Sequence, residues 1–179
     1  MTEERDAPPD WSRETPRGFW DPSRKLLKAH RDYGRAKGPL APLTKRWAVL
    51  RYRFWSVVTG CDLPLNVEIG GGLIMPHPNG IVVHPDARIG KNCLLGQQVT
   101  LGVAGGGKKG APTLLDGADV SAGAKVLGPV TIGRRALVGA NAVVLQDVPD
   151  GMVAVGIPAR IISSKARAGE SADQGQQAH

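Results

Sequence analysis

The sequence predicts a mainly β protein: a parallel β-helix of six-residue repeats, preceded by a short α-helical segment. Three observations carry that prediction. Stepping by six from Leu114 reaches Val120, Val126, Ile132, Val138 and Val144, all aliphatic. Stepping by six from Ala118 reaches Ala124, Val130, Ala136, Ala142 and Val148, all small or β-branched. A helix repeats near 3.6 residues and a half-buried strand alternates by two. A fixed hexad instead belongs to a solenoid with three short strands per coil, each coil burying its side chains against the next. The third observation is the interruption. Leu101 and Leu114 are thirteen residues apart, two hexads plus one, and the extra length lies in Val103-Ala-Gly-Gly-Gly-Lys-Lys-Gly-Ala-Pro-Thr113. That is a loop composition, and a solenoid commonly places binding work in such an excursion.

The elements follow in order. Residues 1–20 are polar and proline-punctuated and read as a disordered arm. Residues 21–60 read as a short helical segment. A first helix opens at Asp21-Pro-Ser-Arg24, capped by Asp21 or Ser23, and runs to about Arg35; Gly38-Pro39 breaks it. A second helix spans Pro42 to Val58, with Leu43, Trp47, Leu50, Phe54 and Val58 as an apolar stripe at helical spacing and Gly60 as its C-terminal cap. Lys45, Arg46, Arg51 and Arg53 flank the stripe. Packing on the first coils or on a neighbouring subunit is the expectation for it. The second reading is weak contact of 42–58 with an anionic lipid surface. The β-helix occupies residues 61–162, with the excursion at 103–113. Counting backwards places Leu65, Val83, Ile89, Leu95 and Leu101 on the aliphatic ladder, and Ile69, Met75, Ile81, Ala87, Cys93 and Val99 on its companion. Gly71 and His77 are then the two exceptions. Met152 to Ile162 forms a last strand, and 163–179 reads as a disordered tail.

The chain has 179 residues and a formal charge of +7, unevenly spread: 13 Lys/Arg against 7 Asp/Glu in residues 1–60, but 8 against 7 in 61–163. The basic part carries no groove-reading motif, so no nucleic-acid partner is expected. Two cysteines make no disulfide framework and no Cys/His cluster, so no metal is expected; Cys93 falls on the small-residue ladder as a buried hydrophobe. No secretory leader or membrane-length apolar run is present in the sequence, and a cytoplasmic location is the expectation.

Few side chains here do proton chemistry near neutral pH. His30 lies in the helical segment and His179 is terminal. His77 and His84 fall in Met75-Pro-His-Pro-Asn-Gly-Ile-Val-Val-His-Pro-Asp86. His77 stands at an aliphatic-ladder position, so it is either buried or the coil bulges there, and Pro76, Pro78 and Gly80 favour a bulge. His84 reads as exposed or subunit-facing, with Asp86 near enough to orient an imidazole in a tight turn.

Several runs together resemble the serine O-acetyltransferase family of hexapeptide-repeat acyltransferases: Gly80-Ile-Val-Val83, Gln98-Val-Thr-Leu-Gly102, Ala122-Gly-Ala-Lys-Val-Leu-Gly128, Val138-Gly-Ala-Asn-Ala-Val-Val-Leu145 and Gly156-Ile-Pro-Ala-Arg-Ile161. The resemblance covers about residues 61 to 162. It implies a left-handed parallel β-helix, a homotrimer with active sites in the clefts between subunits, acetyl-CoA as the acetyl donor, and His77 as the general base. Backbone N–H groups would hold the oxyanion. Ala122 and Ala140 match small residues that let the pantetheine arm lie against the coil, with Gly123 keeping that wall flat. Lys108, Lys109, Lys125 and Arg160 are candidates for the CoA phosphates.

Three departures bear on the acceptor. The family's aspartate before the catalytic histidine is here Pro76. Its Arg-His pair before a proline in the excursion is here Gly110-Ala111 before Pro112, and its long helical N-terminal domain is replaced by a basic segment of about 60 residues. Short relatives associated with exopolysaccharide acetylation are similar in having a short N-terminus and an excursion without that pair. Serine, as in cysteine biosynthesis, and a sugar hydroxyl in polysaccharide biosynthesis are therefore both expected acceptors, and a catalytically silent structural trimer is the alternative of another class. The family's sulfhydrylase partner binds a C-terminal isoleucine; this sequence ends Gln177-Ala178-His179, so no such complex is expected.

Overall fold

The structure, a computed structural model, describes residues 7–105 and 109–163. Two helices, α1 (Pro22–Arg35) and α2 (Ala41–Thr59), come first. Three parallel sheets of very short strands follow. The first holds β1 (Glu68–Ile69), β3 (Arg88–Ile89), β6 (Thr113–Leu114) and β9 (Thr131–Ile132). The second holds β4 (Leu94–Leu95), β7 (Asp119–Val120), β10 (Leu137–Val138), β12 (Val153–Gly156) and β13 (Ala159–Ile162). The third holds β2 (Val82–Val83), β5 (Thr100–Gly102), β8 (Lys125–Leu127) and β11 (Val143–Val144). The chain visits the three sheets in rotation, one strand each per coil, and only β12 and β13 pair antiparallel, as a closing hairpin.

Register explains the hexad. In regular coils each residue pairs with the one 18 positions on, as in Val82 with Thr100 and Thr113 with Thr131. Three hexads make one turn, so each ladder residue returns to the same inward position. Leu114, Val120, Val126, Ile132, Val138 and Val144 are all buried, as are Ala118, Ala124, Val130, Ala136, Ala142 and Val148. Across the excursion the partner lies 25 positions on, Thr100 with Lys125, so seven residues are added there without disturbing the stack.

The first coil corrects the backward count. Asp62 pairs with Val82, Glu68 with Arg88, and Ile74 with Leu94, a spacing of 20. Six residues separate Asp62 from Glu68 and Glu68 from Ile74, but eight separate Ile74 from Val82, so the two extra residues lie in the segment Met75 to Ile81. Ahead of that insertion every assignment shifts by two. The aliphatic ladder continues back through Met75, Ile69 and Leu63, and its companion through Leu73, Val67 and Cys61, all buried except the half-buried Ile69. Leu65, Gly71 and His77 were never on it. His77 sits exposed on a bend, the bulge its prolines favour.

The helical segment closes the open end of the coil. Leu26 and Leu27 of α1 join the β-helix core, with Tyr52 and Trp55 of α2 packed against it. Ser23 Oγ donates to the Met75 carbonyl and Tyr52 to that of Leu63. Neither expected N-terminal cap forms: Asp21 stands at the cap position but accepts from Arg17 N and the Arg24 guanidinium, and Ser23 is spent on Met75. Gly60 does end α2 in the left-handed conformation, φ 62°. The α2 stripe is a second correction. Its buried residues are Ala48 and Thr59, whereas Leu43, Trp47, Leu50, Phe54 and Val58 are exposed, so the stripe does not pack on the first coils.

Residues 7–20, expected as a loose arm, are instead built onto the coil. Trp11–Arg13 forms a turn of 3-10 helix capped by Asp10. The arm crosses Gly71, where an added Cβ would stand 2.5 Å from Pro9 Cβ and 2.7 Å from the Trp11 ring, which accounts for glycine there. Buried Glu14 accepts from the Gly72 and Leu73 N–H groups at 2.7 and 3.0 Å and from both ends of the Arg31 guanidinium at 3.0 and 2.8 Å. Arg31 also donates to the carbonyls of Ile69 and Gly70. Every atom of this pair therefore has a partner, and removing one member strands the other. His30, also buried, is held neutral by that burial, which pushes its pKa down. Burial likewise pushes the Cys61 and Cys93 thiols up to about 12, the inert behaviour expected of core cysteines.

Glu14→Ala is expected to cost about 3 kcal/mol, a fall in Tm on the order of 10 °C for a chain of this size. Arg31→Ala should fall similarly and the double variant little further. Thermal unfolding followed by circular dichroism checks this; a loss of about one degree would contradict the anchoring role.

Candidate active site at a β-helix corner

Each turn from the second sheet to the third passes one corner of the coil, and successive corners stack. Five left-handed residues mark it: Gly60, Gly80, Gln98, Gly123 and Asn141, with φ between 57° and 74°. Hydrogen bonds along the axis tie them together: Gly80 N to Gly60 O, Gln98 N to Asn79 O, Gly123 N to Gln97 O and Asn141 N to Ala122 O, at 2.8–2.9 Å. The two-residue insertion falls in the first of these turns. It pushes His77 out of the core at the top of a wall made, in descending order, by Gln97–Gln98, Ala122–Gly123 and Ala140–Asn141.

This corner gathers most of the predicted residues. Ala122 and Gly123 are half-buried and Ala140 exposed, a surface with little side-chain relief. Lys125 reaches back from β8 and donates its ammonium to the Gln98 carbonyl, which holds a positive charge against the wall one coil below His77. Gly123 has a structural reason of its own: φ is +74°, and an added Cβ would collide with Asn141 Oδ1. Arg160 lies further off. It is exposed on β13 opposite Val155, whose side chain covers Gly139 next to Ala140.

The other predicted residues occupy a different corner, between the third and first sheets. Lys109 is exposed there, near the foot of the excursion, where a Cβ on Gly110 would touch Pro129 of the next coil. Lys108 lies outside the described residues. His84 is at the same corner and half-buried. Its Nδ1 accepts the Asp86 N–H at 3.2 Å, while the Asp86 carboxylate stays 3.8 Å away, so backbone rather than carboxylate orients the ring. With Nδ1 accepting, the neutral ring carries its proton on Nε2 and presents a donor outward. The corners lie at opposite edges of the third sheet, separated by about six residues of extended chain, or ~20 Å. Among the described residues, one chain therefore does not bring His77 and the excursion together.

A cavity of about 580 Å³ occupies the remaining corner, between the first and second sheets, lined by Arg13, Asn92, Asp116, Asp119 and Arg134 among others. It contains none of the predicted residues. Burial raises the pKa of Asp119 there, opposed by the charge of Arg13. Among the described residues, no three of His, Cys, Asp or Glu converge as metal ligands.

The signals that sequence reasoning missed are Gln98 and Asn141, ordinary polar residues whose left-handed backbone defines the corner. Asparagine in such a position has a familiar precedent; glutamine has none, and no pattern in the sequence points to it.

Known proteins agree with this architecture. The family model described as the hexapeptide repeat of succinyl-transferase matches residues 87–106 and 129–151. The serine acetyltransferase of Bacillus pumilus (strain SAFR-032) is 44% identical over 105 residues, 58% of this chain and 48% of that one. A serine acetyltransferase solved in complex with CoA superimposes with a TM-score of 0.66 at 31% identity, covering 80% of this chain and 58% of that one. The Neisseria gonorrhoeae serine acetyltransferase in complex with serine gives 0.66 at 32%, covering 79% and 57%. The chain thus spans about half the length of the relatives it matches. Fold and repeat define a left-handed hexapeptide-repeat β-helix protein. Over its β-helix the chain is similar to serine acetyltransferases.

Gly123→Ala is expected to lose about 2 kcal/mol from left-handed strain alone, and more from the Asn141 clash. Adding Asn141→Gly should recover part of the loss. Chemical denaturation of the two variants checks this; strictly additive losses would show that the corner residues do not touch.

Proposed function

We propose that this chain is an acetyl-CoA-dependent O-acetyltransferase in which His77 is the general base. The observation that carries the reading is the two-residue insertion of the first coil. It presents His77 to solvent above a smooth wall of Ala122, Gly123 and Ala140, with the Lys125 ammonium fixed on the same wall. A narrow apolar wall suits a pantetheine arm, and a fixed cation suits a phosphate.

An acceptor hydroxyl is a weak nucleophile, so a base must remove its proton as it attacks. His77 takes that proton while the hydroxyl oxygen bonds to the thioester carbonyl carbon. The carbonyl oxygen becomes an oxyanion for backbone N–H groups to stabilise. Collapse breaks the C–S bond, and the imidazolium returns its proton to the departing CoA thiolate. No acyl-enzyme is required, because the hydroxyl attacks directly.

The separation of His77 from the excursion supports assembly as a trimer. Rotational symmetry sets the His77 corner of one subunit against the far edge of the next subunit's third sheet, which supplies the second wall of a cleft. Lys109 and the excursion would then serve a neighbour's His77. Serine is the acceptor the relatives suggest. A sugar hydroxyl is the second reading, favoured by Pro76 before His77 and by Gly110-Ala111 in the excursion, which offer no charged group to an amino acid's carboxylate or ammonium.

Thiol release from acetyl-CoA is expected with L-serine or with a member of a panel of sugars and nucleotide sugars, and His77→Ala should lower kcat by at least about a hundredfold while CoA still binds. Which acceptor turns over decides between the two readings. CoA binding without turnover on any acceptor would favour a silent trimer, and absence of CoA binding would overturn the enzyme reading.

A further inference from the structure

The outward face of α2 takes no part in the chemistry proposed above, yet it is the most apolar surface described. Leu43, Trp47 and Leu50 are 67%, 62% and 59% exposed, and Phe54 and Val57 extend the row to the end of the helix. The row does not stop there. Phe54 packs edge-on against Trp55 at 4.9 Å, Trp55 against Trp20 at 5.6 Å, and Phe19 beside it is 90% exposed. A continuous aliphatic and aromatic strip therefore runs from the start of α2 to the segment before α1. Soluble domains rarely leave a strip of this extent uncovered without a partner for it.

The charges around the strip say which partner. α2 contains Lys45, Arg46, Arg51 and Arg53 and no Asp or Glu. Arg46 and Arg53 are exposed along one border of the strip, and Lys25 lies 5.0 Å from the Phe19 ring and 5.5 Å from that of Trp55. Asp32, which is paired with Arg51 of α2, is already shared with Lys28. A second copy of the chain set against this face would bring two sets of uncompensated arginines together. An anionic surface would neutralise them. Tryptophan and phenylalanine beside arginine and lysine are also the composition that settles at the boundary of headgroups and acyl chains. Among the described residues no helix is long and apolar enough to cross a membrane, so the contact is one of lying on the surface.

We propose that the α2 face, with Phe19 and Trp20, docks the protein on an anionic lipid surface. The inference is independent of the acceptor and of the catalytic reading. Its charges and its apolar side chains act together: the first bring the helix to the surface, and the second hold it there.

The test is co-sedimentation of the full chain with sucrose-loaded vesicles, either phosphatidylglycerol mixed with phosphatidylcholine or phosphatidylcholine alone. Binding is expected to the mixed vesicles, weakening as salt rises, with tryptophan fluorescence quenched by brominated acyl chains. Arg46→Gln and Arg53→Gln should each lower partitioning about fivefold, and Trp47→Ala with Phe54→Ala should abolish it, with the far-ultraviolet circular dichroism unchanged. Failure to sediment with mixed vesicles at low salt would overturn the proposal, as would equal binding by the Trp47/Phe54 variant. Should Leu50→Glu instead lower the molecular mass by light scattering, to a half or a third, the face belongs to another copy of the chain and the proposal falls. Acetyltransfer from acetyl-CoA, measured on the same variants without vesicles, should stay at the parent value, which separates this test from that of the catalytic reading.

Discussion

Strands of two or three residues cannot stabilise themselves, so everything in this protein rests on register between coils. The N–H groups of the strands find their partners a whole turn away, and the ladder side chains of regular coils meet the same position of the next turn. A single-residue slip would send aliphatic side chains to solvent. Changes of length are tolerated only at a corner, where the chain can lengthen or shorten while both flanking strands keep their partners. The chain loses two residues between Val144 and Val148 and makes two additions: two residues around His77 and seven in the excursion. Both carry residues assigned to the chemistry, and neither alters the core.

The corner that holds His77 shows how the solenoid sets up a site at little cost. Left-handed backbone at Gly80, Gln98, Gly123 and Asn141 turns the chain sharply, and the turns stack through their own hydrogen bonds. Gly123 is demanded by its left-handed backbone and by Asn141 Oδ1 beside it, whereas Ala122 and Ala140 stand where Gln97 stands one coil up, so the turn does not require a small residue there. Structural need and the proposed fit to a flat cofactor arm coincide at Gly123 alone. At Lys125, too, the position in β8 does not require a cation, and its ammonium is directed at the corner.

The sequence made the coil legible from Val83 to Val144, where the period is unbroken apart from the excursion; Val148, counted on the companion ladder, pairs instead with Ile132 of the aliphatic one. It misled ahead of Val83 for a definite reason. A backward count cannot see two residues added at a turn, so His77 was assigned to the core ladder it had in fact left. The Glu14 anchor was invisible because its partners, Arg31, Gly72 and Leu73, are brought together only by the fold. Periodicity identified α2 as amphipathic but not which face is buried. The fold buries the small side, Ala48 and Thr59, with Tyr52 and Trp55 beside it, and leaves the larger stripe outside. His77 and the small-residue wall were found by resemblance, but that Lys125 stands with them and Lys109 apart is a fact of topology.

The division of the predicted residues between two edges of one sheet leads to the account's central claim, that a working site takes its histidine from one chain and its excursion from another. Subunit complementation tests it most directly. His77→Ala and a variant lacking residues 104–110 are each expected to be inactive alone. Co-expressed, they should form mixed trimers in which some clefts pair an intact His77 with an intact excursion, and acetyl transfer should return. Mixed trimers, verified by native mass spectrometry, that remain as inactive as either parent would contradict the claim.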